Sequence, residues 1–230
     1  MSIPRILEVR TSILKRNDAV ARDLRRDFTR HGVLVVNMVS SPGTGKTAFL
    51  LETLLLLRRR GATVAAVVGD LETDNDARRL AASGAPVRQI NTHGLCHLEA
   101  DMIRTHVADW DLAGLDYLFI ENVGNLVCPT SWDLGESLRL ALLSVTEGED
   151  KPLKYPALFN TADVAALTKL DLAAACGFDA PLARANIAAV RPGMPIVETS
   201  ARTGTGLAAW LDLLAACRHR LLATAPICRS

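Results

Sequence analysis

The 230-residue chain is missing the marks of several large protein classes. It carries no excess of one charge: 26 basic and 25 acidic residues leave a formal charge of +1, too weak a field to recruit nucleic acid. Long apolar runs are absent, and stretches such as 54–57 fall far short of the ~18 residues of a membrane span. Neither nucleic acid nor membrane is therefore an expected partner. Residues 1–31 are studded with Arg and Asp and show no apolar h-region or small-residue cleavage pattern, so the expected location is the cytoplasm. There is no internal repeat, no low-complexity segment and no Gly/Pro-rich linker. Cysteine occurs five times, at 96, 128, 176, 217 and 228, without repeated spacing, and CxxC, HExxH and His-rich tracts are all lacking. In a reducing compartment that pattern excludes a disulfide framework and leaves metal binding or burial.

What is present is material for a core. Apolar residues make up 49% of the chain and charged residues 22%, which excludes a disordered or fibrous protein. At ~100–200 residues per domain, one α/β domain is expected. Residues 1–31 hold eight Arg or Lys against four acids, with Ile6, Val9, Ile13, Val20 and Leu24 at helical spacing. They read as an N-terminal helical segment whose basic residues form the solvated face of a packed or oligomer-forming helix. A nucleotide-binding domain is expected over 32–225 and a tail over 226–230.

Residues 33–39 (VLVVNMV) form an apolar, β-branched run entering a turn-rich segment, the pattern of a buried parallel strand. Residues 47–60 repeat apolar positions at helical spacing, end in Arg58, Arg59 and Arg60, and stop at Gly61. The alternation continues: strands at 63–68, 87–90, 117–120, 138–145, 164–167 and 196–197, helices at 75–83, 96–110, 182–190 and 207–222. Such alternation implies a mostly parallel sheet covered by helices on both faces, with ligands at the carboxyl ends of the strands.

The loop after the first strand is Ser40-Ser41-Pro42-Gly43-Thr44-Gly45-Lys46-Thr47. Glycines at 43 and 45 let backbone N–H groups turn toward phosphate oxygens, Lys46 brings charge to the β- and γ-phosphates, and the Thr47 hydroxyl can ligate Mg²⁺. Ser40 stands where GxxxxGK[ST] has its first glycine, a small residue the turn tolerates. Strand, loop and helix together mark a three-layer α/β phosphate-loop NTPase.

Thr168-Lys169-Leu170-Asp171 follows a later strand. A carboxylate at Asp171 can accept from guanine N1–H and the exocyclic amine, a donor pair adenine lacks, while the Lys169 stem packs over the ring; an Asp-capped turn is the structural alternative. Thr199, Ser200 and Ala201 follow the last strand and resemble the loop that completes the guanine pocket of GTPases. Between these anchors, Asp70 ends a strand and leads into Glu72, Asp74 and Asp76, and Glu121 ends another three residues before Gly124. Glu121 occupies the Asp position of a DxxG switch and is placed with Asp70 to hold Mg²⁺, while the Gly124 N–H can meet the γ-phosphate. No Gln lies beside this switch, so intrinsic hydrolysis is expected to be slow, with Asp70 or Asp74 orienting water. Cys96 and His97 open the helix expected at 96–110, where the helix terminus favours a thiolate, and Cys128 follows Glu121 in the same loop. Metal ligation and burial both remain open for these three.

The segments SSPGTGKT, GDLETDNDARR, CHLEADM, IENVGNLVCP, DLGE, SVTEGEDKPLKYP and TKLDL together resemble the hydrogenase nickel-incorporation GTPases, the HypB family, from about residue 33 to 214. The related urease accessory GTPases carry Cys-Pro-His where this chain has Cys96-His97. The resemblance implies a nucleotide-dependent homodimer that hydrolyses GTP to GDP, binds Ni²⁺ or Zn²⁺ at Cys96, His97 and Cys128, and supports nickel insertion into a [NiFe]-hydrogenase precursor with a HypA-type nickel chaperone. It also implies that Lys151 reaches the nucleotide. Two departures stand out. Thr168 replaces the Asn of many members, and an N-terminal Cys-rich nickel site and His-rich tract are missing, so nickel storage is not expected. The alternatives are a urease-type nickel accessory GTPase and, in another class, a phosphate-loop small-molecule kinase whose cysteines are inert.

Overall fold

The computed structural model describes residues 5–70 and 75–224. In chain order the elements are α1 (Arg5–Arg30), β1 (Leu34–Val39), α2 (Lys46–Arg59), β2 (Val64–Asp70), α3 (Asn75–Ala81), β3 (Val87–Asn91), α4 (Ala100–Val107), β4 (Tyr117–Glu121), β5 (Leu138–Ser144), α5 (Lys151–Lys154), α6 (Pro156–Asn160), β6 (Val164–Thr168), α7 (Ala173–Cys176), α8 (Ala180–Val190), β7 (Ile196–Glu198) and α9 (Leu207–Thr224). The seven strands form one sheet in the order β3-β2-β4-β1-β5-β6-β7, and every pairing is parallel.

The strands are apolar on both faces because both faces are covered. Val36 and Met38 of β1 turn toward α2 and α9, where Phe49, Leu50, Trp210 and Leu214 fill one layer. Val33 and Val35 turn the other way, toward α1 and α4, with Phe28, Ile103, Leu118 and Ile120. A third cluster packs Phe159 and Ile187 of α6 and α8 on Leu143 and Leu167. The expected three-layer α/β arrangement is therefore the observed one. Chain order reverses about β1, which lies between β4 and β5, and this is where a crevice opens at the carboxyl ends of parallel strands.

The N-terminal helix is part of this packing. Asn17, Ala21, Leu24 and Phe28 are buried at a spacing that lines one face of α1, while Ile13 is 49% exposed. The boundary expected at residue 31 thus does not separate two packing units. Asn17 joins α1 to two distant segments, accepting from the Ala100 N–H (2.8 Å) and donating to the Asp133 carbonyl (2.8 Å). The expected tail, 226–230, lies outside the described residues.

Candidate functional site

The phosphate loop is shaped by its glycines and closed by its polar side chains. Gly43 and Gly45 take φ of 74° and 96°, the left-handed region that strains any residue with a Cβ. α2 then starts without a side-chain cap or an acidic first turn, so its N–H groups face the loop's concavity, where an anion is favoured. Ser40 explains the missing first glycine. Its hydroxyl donates to the Ser41 carbonyl (2.9 Å) and accepts from Lys46 Nζ (2.9 Å). Lys46 also donates to the Ser41 carbonyl at 3.2 Å. Burial pushes the Lys46 pKa down, against the pull of Glu121, Asp76 and Glu147.

Thr47 Oγ1 donates to Glu121 Oε1 at 2.8 Å, while Glu121 Oε2 is buried with no hydrogen-bond partner among the described residues. A hydroxyl and a carboxylate with a spare buried oxygen fit a hard divalent cation, so these two residues suit Mg²⁺. Gly124 is pressed on the loop: a Cβ there would sit 3.0 Å from Pro42 Cα, a contact tight enough to make the loop give. Asp70 closes β2 opposite Asn91, and Asp74 lies outside the described residues. From this segment it is Asp76 whose charge acts on both Lys46 and Glu121. Asp76 is one of a run of acids in the sequence, with nothing local to set it apart.

Burial raises the Glu121 pKa from 4.5 to about 7, with Lys46 and the Thr47 hydrogen bond opposing. Between those two values the folded, nucleotide-free protein keeps a proton that the unfolded chain has released. Stability should therefore fall as pH rises through the window, by about 1.4 kcal/mol per pH unit from this group. Urea unfolding across the window should show a flatter dependence in Glu121→Gln, and equal slopes would remove Glu121 as the cause.

On the guanine side, Thr168 Oγ1 donates to the Thr44 carbonyl at 2.7 Å, so the residue that replaces Asn tethers the phosphate loop to β6. Lys169, at φ 57°, lays its stem 3.4 Å from the Cβ direction of Gly45 and donates from Nζ to the Gly43 carbonyl at 2.6 Å. Ser200 Oγ donates to Asp171 Oδ1 at 2.6 Å, and Ala201 follows in the same turn. That turn is tight, because a side chain at Gly206 would lie 1.8 Å from the Glu198 carbonyl oxygen.

Glu147 was not singled out from the sequence, although it lies within SVTEGEDKP. Its carboxylate accepts from the Ser41 hydroxyl, from Thr44 Oγ1 at 3.1 Å and from the Ser144 N–H at 3.2 Å, clamping the phosphate loop to the end of β5. Four residues on, the Lys151 ammonium rests over the Tyr155 ring at 5.2 Å.

The metal candidates are only partly assembled. Cys96 Sγ lies 3.8 Å from His97 Nδ1, and the His97 ring stacks on Trp132 with centroids 4.2 Å apart. Burial lowers the His97 pKa against the pull of Glu99, which favours the neutral, ligating form. Cys128 opens a short turn, its N–H donating to Asn125 Oδ1 at 2.9 Å. Among the described residues no three His, Cys, Asp or Glu side chains are grouped to hold a metal, so the single chain does not bring the trio together. One expectation is corrected. Helix α4 begins at Ala100, with Glu99 extended before it, so Cys96 lies in the loop and gains nothing from the helix terminus.

The CobW/HypB/UreG nucleotide-binding domain matches residues 34–198. The hydrogenase maturation factor HypB of Rhizobium leguminosarum bv. viciae is 47% identical over 221 residues, covering 95% of this chain and 74% of the relative. The chain belongs to the HypB family. The HypB of Escherichia coli K12 is 46% identical over 214 residues, covering 93% of this chain and 73% of its own. Among solved structures, the HypB of Helicobacter pylori in complex with nickel superposes with a TM-score of 0.83 at 37% identity, over 89% of this chain and 96% of that one. HypB membership displaces the small-molecule kinase reading. No helix of the described residues is long and apolar enough to cross a membrane.

Proposed function

We propose that the chain is a GTP-hydrolysing nickel carrier that supports nickel insertion during [NiFe]-hydrogenase maturation. One observation carries this reading: the segment 121–128 holds both Glu121, bonded to Thr47 of the phosphate loop, and the candidate ligand Cys128, with Gly124 between them against Pro42. Nucleotide sensing and metal ligation then share one stretch of backbone.

In the reaction, the N–H groups of 43–47 bind the phosphates, and Lys46 moves from Ser40 to the β- and γ-oxygens. Thr47 and Glu121, with Asp70 as a further candidate, would hold Mg²⁺, which would supply charge neutralisation there. Gly124 offers its N–H to the γ-phosphate, and Asp171, oriented by Ser200, selects guanine. Asp76 joins Asp70 and Asp74 as a candidate to orient water; no Gln stands beside Gly124, which supports slow intrinsic turnover.

Nickel is the cargo, with zinc the competing occupant of the same soft donors. Cys96, His97 and Cys128 leave a fourth position for water or for a group from a second subunit, and the reading includes a homodimer whose formation depends on nucleotide. Lys151, which rests over Tyr155 in the single chain, is a further candidate to reach the nucleotide. A HypA-type nickel chaperone and the hydrogenase large-subunit precursor are the proposed donor and recipient, in the cytoplasm. Light scattering with GDP and with a non-hydrolysable GTP analogue, each with Ni²⁺, should give monomer in the first and dimer in the second. A monomer in both states would count against the reading.

A further inference from the structure

We propose that Asn122 is the positioning residue through which the nucleotide state reaches the metal-binding segment. The inference rests on the reading that nickel affinity depends on the bound nucleotide. Asn122 directly follows Glu121, precedes Gly124 by two residues and is 1% exposed. Its Oδ1 accepts from the Val123 N–H (2.9 Å) and from the Leu98 N–H (3.3 Å), while its Nδ2 donates to Asn37 Oδ1 at 3.3 Å. Leu98 is the neighbour of His97.

The direction of this chain of bonds is fixed at one end. The Glu136 carboxylate accepts from Arg139 (2.8 Å) and from Asn37 Nδ2 (3.1 Å). Glu136 and Arg139 form a buried pair, so Glu136 acts as acceptor only and turns the Asn37 oxygen toward Asn122. That oxygen requires the Asn122 amide nitrogen, which leaves the Asn122 oxygen for Leu98. Two backbone N–H groups facing the same atom agree with this assignment.

Asn122 therefore has a static end and a movable one. The static end is Asn37, in the central strand β1 and anchored by Glu136. The movable end is a single oxygen shared between Val123, inside the switch, and Leu98, beside the ligands. The Leu98 side chain is wedged against β2, 2.8 Å from where a Gly69 Cβ would stand, so its backbone has few other ways to shift. When Gly124 is drawn to a γ-phosphate, the 122–124 peptides turn and re-aim that shared oxygen, and the Leu98 N–H moves or loses its acceptor. The stack of His97 on Trp132, four residues after Cys128, makes the ring follow the same segment.

The test is nickel titration of the GDP and GTP-analogue forms of the parent and of Asn122→Ala. In the parent the two nickel affinities should differ by roughly 5–150-fold, and in the variant they should agree within about twofold, with GTP-analogue affinity nearly unchanged. A variant that keeps the parent's ratio overturns the role of Asn122. Equal affinities in the parent overturn the underlying reading and, with it, the relay. Because a buried amide is removed, hydrogen exchange of the parent supplies the second measurement. Protection of the Leu98 amide should change by about tenfold or more between the GDP and GTP-analogue forms, and identical protection overturns the proposal even if the variant does not fold.

Discussion

Lys46→Ala should lower GTP hydrolysis by roughly 10²–10³-fold, the usual cost of removing one preorganised charge from a reacting phosphate. The nucleotide-free fold should not suffer. Lys46 is buried and its charged form is disfavoured by desolvation, so alanine removes a desolvated ammonium, frees Ser40 and the Ser41 carbonyl, which already bond one another, and leaves Glu121 more readily protonated. Thr47→Ala should lose activity by another route, since it deprives Glu121 Oε1 of its donor and the cation of a ligand; its deficit should shrink as Mg²⁺ is raised, whereas that of Lys46→Ala should not. Steady-state hydrolysis over a Mg²⁺ series, with thermal melts of the nucleotide-free proteins, separates the two. Hydrolysis at the parent rate in Lys46→Ala would mean that the loop does not hold the reacting phosphates.

The strands were legible because both faces of a parallel sheet are covered, which leaves runs such as VLVVNMV apolar at every position but Asn37. The helical periodicity of 96–110 set the start of α4 too early, because Leu98 is spent as a wedge against Gly69 and Glu99 is extended. Packing overrode periodicity there. The one-turn helices α5 and α6 escaped notice because Pro152 and Pro156 open them, dividing the segment into pieces too short to show a period.

At the candidate site, motif chemistry singled out Lys46, Thr47, Glu121, Gly124, Lys169 and Asp171 because each is recognisable by residue type at a fixed offset from a strand. Glu147, Asn37, Glu136 and Asn122 escaped because each has a side-chain partner 85 to 106 positions away. A buried amide or carboxylate has no local signature. Thr168 likewise acts at a distance, its hydroxyl tying the end of β6 to the Thr44 carbonyl.

Guanine selectivity should fall with Asp171. Asp171→Asn is expected to weaken GTP binding by at least tenfold, a loss of ~1.5–3 kcal/mol, because a charged acceptor for two donors becomes a neutral amide with one acceptor and one donor. Ser200 makes the outcome sharper. Its hydroxyl already donates to Oδ1 at 2.6 Å and keeps the asparagine oxygen on that side, so the new NH₂ group takes the other position and meets the donors of the base. Arg202 does not rescue the carboxylate's role: it approaches Oδ2 only to 3.7 Å and its side chain is 81% exposed, a screened contact of small value. A base with an oxygen in place of guanine's exocyclic amine offers an acceptor where the variant now has a donor, so xanthine nucleotides should bind Asp171→Asn better than they bind the parent. Competition of GTP, ATP and XTP against a fluorescent nucleotide in both proteins reads all of this together. Unchanged GTP affinity in the variant would place the base away from Asp171 and leave the Thr168 to Asp171 segment as a capped turn without a part in recognition.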